Sequence, residues 1–189
     1  MDKRTFSARK IALIGIFAAL SYIGFQFLRI DVPVGAQKTA FHMGNVFVMV
    51  GAVLLGGLPG GLAGALGMTI ADMTSGYMTS APATFLLKLG IGLMVGLVAR
   101  MVKLRSEEDR TKRLFKLVLS TGAGAVFNII ADPFVRYLFN LYIYKIEGDI
   151  AAKLAAMSSI TTIVNALLAI VVSVLVCEAL RPSLKKMNL

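Results

Sequence analysis

Residues 41–100 read FHMGNVFVMVGAVLLGGLPGGLAGALGMTIADMTSGYMTSAPATFLLKLGIGLMVGLVAR. Three apolar segments lie in this stretch, separated by a Leu-Pro-Gly-Gly turn at 58–61 and a polar bend at 74–82. Continuous apolar runs of this kind are typical of helices that cross the bilayer core, whereas the strands of a membrane barrel alternate. The few polar side chains, His42, Asn45, Asp72 and Lys88, all lie near one end of the segments. That one-sided placement is the main clue to function.

The rest of the chain has the same apolar character. Its 189 residues are 57% hydrophobic, and the mean hydropathy is positive. A soluble chain of this length has too much surface to hide so much apolar area. We therefore predict an all-α integral membrane protein with a single domain over residues 1–189. The net charge of +10 is scattered between apolar runs, which argues against a face that binds nucleic acid.

Six transmembrane helices are predicted from the apolar runs. Their bounds are 11–28, 41–57, 62–73 with its flanks, 83–100, 117–142 with an interruption at Pro133, and 155–180. The first run is longer than a signal-peptide core and lacks a small-residue cleavage site, so we expect it to span the membrane. The turn at 58–61 is short enough to form a tight helical hairpin.

Basic residues set the expected orientation of these helices. They cluster before the first run, between residues 101 and 116, and after the last run. Because Lys and Arg are retained on the cytoplasmic side, both termini are predicted to be cytoplasmic. Residues 29–40, in which Pro33 and Gly35 disfavour a helix, are predicted to form an external loop. Residues 144–153 are predicted to form a second loop of mixed charge.

Polar side chains concentrate at the predicted external ends of several helices. Ionisable groups within a bilayer are costly and normally face a partner or a wet cavity. The candidate substrate-binding residues are His42, Asn45, Asp72, Tyr77, Thr84, Lys88, Asn128, Asp132, Arg136, Tyr137 and Asn165. Asp132 and Arg136 are spaced to pair on one helix, and Asp72 and Lys88 flank the same bend. Each pair alone is compatible with a purely structural role, but their agreement across helices favours an outward-open polar pocket.

The predicted cytoplasmic halves are instead rich in small residues. Gly15 and Ala19 form a small-x-x-x-small pair on the first helix, as do Ala8 and Ala12. Such residues let helices approach closely, either within this protein or against another membrane protein.

Motifs of catalysis are absent from the sequence. It has no Walker loop, no zinc-binding pattern and no nucleophile elbow. Asp72 and Asp132 each have a cation nearby, which opposes an intramembrane acid pair. The single cysteine, Cys177, lies in an apolar run and excludes an internal disulfide. We therefore predict neither catalytic residues, nor a metal, nor a cofactor.

A series of short motifs resembles a known family. The series is His42-Met43-Gly44-Asn45, a glycine-rich hairpin through Gly56 to Gly64, Ala71-Asp72, Ser75-Gly76-Tyr77, Ala81-Pro82-Ala83-Thr84 and Lys88-Leu89-Gly90. In order and spacing it resembles the substrate-binding S components of energy-coupling factor (ECF) vitamin transporters. The subfamily it resembles is grouped with the riboflavin S components and includes proteins assigned to pyridoxine and hydroxymethylpyrimidine.

The resemblance implies an S component of a bacterial plasma membrane. Such a protein captures a vitamin with its first loop and helices four to six. It then docks through helices one to three on a coupling subunit that carries two ATPases, rotating in the membrane to carry the substrate inward. The docking residues implied are Ala12, Gly15, Ala19, Gly60 and Gly64. The vitamin is the transported ligand, and only the partner subunits use ATP.

The nature of the polar side chains narrows the expected substrate. The sequence has no tryptophan, and the candidate pocket suits a small hydroxylated heterocycle such as pyridoxine or a hydroxymethylpyrimidine. Riboflavin is the alternative within the family. A stand-alone small channel or a structural membrane subunit is the alternative of another class, but it leaves the one-sided polar cluster unexplained.

Overall fold

The computed structural model describes residues 8–34 and 37–186 of the chain. Six main helices and one β-hairpin make up this part. They are α1 Ala8–Gln26, β1 Arg29–Val34, β2 Gln37–His42, α2 Gly44–Leu55, α3 Gly57–Thr74, α4 Ala81–Met101, α5 Arg110–Leu138 and α6 Gly148–Lys186. Short 3-10 helices lie at Met78–Ser80 and Leu104–Ser106, and a π-helical turn at Phe139–Ile143 follows α5. Lys3, Arg4 and Gly35, which the topology prediction uses, lie outside the described residues.

Four helical stretches of the described residues are long and apolar enough to cross a membrane. They are Ala8–Gln26, Met78–Met101, Arg110–Ile143 and Gly148–Pro182. The helix α2 has only 12 residues, a rise of about 18 Å against a hydrocarbon core of about 30 Å. Most of its side chains are buried against the other helices. The prediction of a mainly helical membrane protein is therefore confirmed.

The all-α prediction is wrong for the segment expected to be an external loop. Residues 29–34 and 37–42 form an antiparallel hairpin in which Arg29 pairs with His42 and Val34 with Gln37. Ile30, Val32 and Val34 alternate along the first strand, a β-branched pattern that favours a strand. Pro33 is tolerated because a two-stranded sheet has only edge strands.

The reversal between α2 and α3 occurs at Gly56 rather than at 58–61. Gly56 has a φ of 98°, a conformation that L side chains rarely adopt. The helix α3 then begins at Gly57, so Pro59 lies in its first turn. The first turn of a helix tolerates proline because its N–H groups have no intrahelical partner.

Two further loop boundaries differ from the prediction. The helix α5 begins at Arg110, within the expected loop 101–116, because the side chain of Asp109 caps it by accepting a hydrogen bond of 2.8 Å from the backbone N–H of Lys112. It also continues through Pro133. The helix α6 begins at Gly148, inside the expected loop 144–153.

Glycines bring α3 into backbone contact with both neighbouring helices. A Cβ atom added at Gly92 of α4 would lie 2.2 Å from the Cα of Gly61. One added at Gly60 would lie 2.2 Å from the backbone N of Ala52 in α2, and one at Gly64 would lie 2.4 Å from the side chain of Val48. Gly60 and Gly64 are thus buried between α2 and α3. They do not belong to an exposed docking face.

Candidate functional site

A polar cavity lies between the hairpin and the adjoining ends of the helices. It measures about 470 Å³, including the part that opens at its mouth. Its lining residues are Phe25, Thr39, Ala40, His42, Asn45, Met68, Asp72, Tyr77, Ser80, Thr84, Lys88, Asn128, Asp132, Arg136, Thr161, Thr162 and Asn165. The structure brings the candidate residues of the sequence together here, with the exception of Tyr137.

The phase of α5 explains which of its residues reach the cavity. Asn128, Asp132 and Arg136 are spaced by four and share one face of the helix. Tyr137 is rotated from Arg136 by about 100° and is half-buried away from the cavity.

Asp132 is the centre of a network that joins α5 to α6. Arg136 donates from Nε to its Oδ1 at 2.9 Å, which confirms the pair expected from the spacing. Thr162 of α6 donates to its Oδ2 at 2.8 Å, and Nη1 of Arg136 reaches Oγ of Ser80 at 3.3 Å. The carboxylate is almost wholly buried, with 3% of the side chain exposed. The network fixes the positions of one acid and one base at the cavity wall.

Asp72 and Lys88 do not form the same kind of contact. Both side chains are buried, yet among the described residues no ion pair within 4 Å joins them. Oδ2 of Asp72 has no hydrogen-bond partner. An unpaired acid and an unpaired base therefore line one polar space.

Four buried polar atoms without hydrogen-bond partners line this cavity. They are Nδ1 of His42, Oδ1 of Asn45, Oδ2 of Asp72 and Oδ1 of Asn128. A buried polar atom that is left unpaired costs about 1–3 kcal/mol, so such atoms are rare in folded proteins. Their convergence indicates that a polar ligand or ordered water completes the site.

The charges around the cavity balance. Burial lowers the pKa of His42 well below its usual value, and the cations of Lys88, Arg136 and Arg29 lower it further, so His42 is neutral near pH 7. The remaining ionisable residues of the lining are two acids, Asp72 and Asp132, and two bases, Lys88 and Arg136, apart from the phenol of Tyr77. An uncharged ligand preserves this balance.

Residues outside the strands hold the hairpin over the cavity. The amide of Asn165 donates from Nδ2 to the carbonyl of Ala40 at 2.8 Å, and its Oδ1 accepts from the N–H of His42 at 2.9 Å. Tyr77 donates to Oδ1 of Asp31 at 2.9 Å. Asn165, predicted as a substrate contact, thus has both ends of its side chain engaged by the backbone of β2.

Seven lining residues were absent from the sequence prediction. They are Phe25, Thr39, Ala40, Met68, Ser80, Thr161 and Thr162. Thr161 and Thr162 precede Asn165 by four and three residues on α6, a spacing that places them on its face. Thr39 and Ala40 were hidden because their segment was expected to be a loop.

We expect removal of the Asn165 amide to loosen β2. The Asn165→Ala variant loses both bonds to the hairpin, each worth about 1 kcal/mol. Hydrogen exchange at the backbone amide of His42 should accelerate by about tenfold or more. Ser159→Ala, which removes a hydroxyl that bonds only within α6, serves as the control. Unchanged exchange at His42 in Asn165→Ala would show that the hairpin is held elsewhere.

Comparison with known proteins gives matches along nearly the whole chain. A family model described as "ECF-type riboflavin transporter, S component" matches residues 5–182. A UPF0397 protein of Leuconostoc citreum is 28% identical over 187 residues, covering 97% of this chain and 94% of the relative. A UPF0397 protein of Enterococcus faecalis is 25% identical over 178 residues, covering 94% of this chain and 92% of the relative.

A solved structure shares the fold. It is described as the S component of a bacterial ECF transporter, and it superposes with a TM-score of 0.59 at 15% sequence identity. The match covers 94% of this chain and 98% of the other.

Proposed function

The chain belongs to the family of ECF-type riboflavin transporter S components, and on that premise we propose that it captures a small, uncharged, hydroxylated heterocycle in the polar cavity. The S components are the substrate-binding membrane subunits of these importers. The protein is therefore a transport protein and not an enzyme. The finer proposal concerns the substrate, the residues that bind it, the topology and the partners.

The four converging unpaired polar atoms carry the proposal. Three of them are oxygens that accept hydrogen bonds, so a ligand with several O–H or N–H donors satisfies them. The adjacent ammonium group of Lys88 suits an acceptor on the same ligand. The balanced charge of the lining favours the free vitamin over its phosphate ester, because an added dianion would lie buried without a counterion.

Pyridoxine or a hydroxymethylpyrimidine fits these requirements best. Each carries hydroxyl groups on a single heteroaromatic ring. The cavity lies in the lower part of the range of about 300–1,000 Å³ typical of ligand pockets, which favours one ring over three. Riboflavin is the second candidate because the matching family model bears its name.

The topology proposed for this function has six spans with both termini in the cytoplasm of a bacterium, within one domain of residues 1–189. The cavity is built from the start of α2, the end of α3 and the start of α4. Arg100, Lys103 and Arg105 lie at the opposite end of α4 and just beyond it. Basic residues favour the cytoplasmic side, which places the cavity at the external face. The short helix α2 crosses within the bundle, where other helices cover it.

The proposed partners are a transmembrane coupling subunit and two ATPases, with α1 as the docking face. Ala12, Gly15 and Ala19 are exposed on α1, and a Cβ atom added at Gly15 meets nothing within 4 Å. Small exposed residues of this kind allow a partner helix to approach closely.

We expect Gly15→Leu and Ala19→Leu to leave ligand affinity unchanged and to reduce uptake at least tenfold, because a bulky side chain separates the docked helices. Uptake of labelled vitamin into cells with the partner subunits, and copurification of those subunits, are the measurements. Gly122→Leu is the matched control, since Gly122 of α5 is equally open. If the α1 variants lost affinity and kept their partners, the assignment of α1 to docking would fail.

The proposed function is tested by mass spectrometry of small molecules that copurify with the protein. A single-ring vitamin is the expected result. Riboflavin would change the substrate but keep the S component, whereas a preparation that retains and binds no vitamin would favour a channel or structural subunit.

A further inference from the structure

A second groove lies at the end of the bundle opposite the polar cavity. It is bordered by the start of α1, the connection between α2 and α3, the end of α4 and the turn that follows. Its charged lining residues are Lys10, Arg100, Lys103 and Arg105, and the described residues contribute no acid to the lining. Arg100, Lys103 and Arg105 are exposed. The groove is therefore strongly cationic.

The backbone adds to this positive character. Gly56 and Gly57 line the groove where α3 begins, and no side chain caps that helix terminus. The first N–H groups of a helix lack intrahelical partners, and its dipole is positive at this end. Anions are stabilised at such a terminus, here with four cations beside it.

The groove continues into an apolar surface. Leu93 and Leu97, one turn apart on α4, are among its lining residues and are 43% and 52% exposed. Met101, one turn further on, is also exposed. A cationic pocket thus meets an apolar stripe on a helix that is long enough to span the bilayer.

We propose that this groove binds an anionic phospholipid, with the phosphate held by Arg100, Lys103 and the start of α3, and an acyl chain lying along Leu93 and Leu97. A phospholipid supplies the anion and the apolar chain in one molecule. An acidic protein segment supplies the charge but has no counterpart for the exposed leucines. The proposal is independent of the vitamin and extends beyond the proposed function.

The full-length protein is tested in mixed micelles by native mass spectrometry, with phosphatidylglycerol and phosphatidylcholine as the lipids. We expect retained phosphatidylglycerol to exceed phosphatidylcholine. Arg100→Gln combined with Lys103→Gln should weaken its retention by about tenfold or more. Arg110→Gln combined with Lys112→Gln is the matched control, because it removes the same two residue types outside the groove.

Further measurements separate the alternatives. Leu93→Ala combined with Leu97→Ala should weaken phosphatidylglycerol retention while leaving the binding of soluble glycerol phosphate unchanged. Melting temperatures in phosphatidylcholine alone should agree among all variants, which verifies folding. Equal retention of both lipids, equal losses in the test and control double variants, or full displacement by inorganic phosphate would overturn the proposal. Loss of an acidic partner without any change in lipid retention would identify the groove as a protein contact instead.

Discussion

Replacing Asp132 with asparagine is expected to weaken vitamin binding by at least about thirtyfold. The substitution preserves shape but removes the charge that faces Arg136 at 2.9 Å. Removing one partner of a buried charge pair costs about 2–5 kcal/mol, and each 1.4 kcal/mol corresponds to about a tenfold change in affinity. The loss also leaves the cavity with two bases and one acid. Arg136→Gln should have an effect of similar size.

A double-mutant cycle shows whether the pair acts as a unit. Isothermal titration calorimetry of Asp132→Asn, Arg136→Gln and their combination gives the coupling free energy, and we expect the double variant to lose less affinity than the sum of the two. Asp149→Asn, at the exposed start of α6, is the control and should bind normally. If both single variants bound normally, the pair would serve packing alone.

Adding one methyl group at Gly92 is expected to destabilise the fold strongly. In Gly92→Ala the new Cβ atom would lie 2.2 Å from the Cα of Gly61 and 2.5 Å from its backbone N. Backbone atoms cannot rotate away as a side-chain end does, so α3 and α4 must separate. Overpacking of a core costs about 1–3 kcal/mol and occasionally more, so the melting temperature should fall by about 5 °C or more.

Gly122→Ala isolates this steric effect from helix propensity. Gly122 lies within α5 and has open space around its Cβ position, so alanine there should be neutral or slightly stabilising. Thermal unfolding of both variants in the same detergent gives the comparison. Equal melting temperatures would show that the close approach of α3 and α4 is not required for stability.

The long helices and most of the cavity could be predicted because their signals are local. Apolar runs identify α4, α5 and α6, and costly polar residues such as Lys88 and Asp132 stand out within them. The pairing of Asp132 with Arg136 follows from helical spacing alone. These features depend on neighbours in sequence, which an amino-acid pattern records directly.

Other features depend on contacts between distant segments. The hairpin was missed because Pro33 and Gly35 dominate the pattern, while Asn165, more than a hundred residues away, binds β2 in the structure. The roles of Gly60 and Gly64 were also misjudged, since a glycine at a helix surface has the same sequence signal whether its neighbour is inside or outside the protein. Tyr137 was included although its helical phase turns it from the cavity.

The account depends most directly on whether the isolated protein binds a vitamin. Isothermal titration calorimetry of the purified chain, without ATP or partner subunits, against pyridoxine, hydroxymethylpyrimidine, their phosphate esters and riboflavin is the measurement. We predict saturable binding of one free single-ring vitamin per chain and no binding of its phosphate ester. Absence of binding to every compound, by protein that is folded by its melting curve, would contradict the assignment of the polar cavity as a vitamin site.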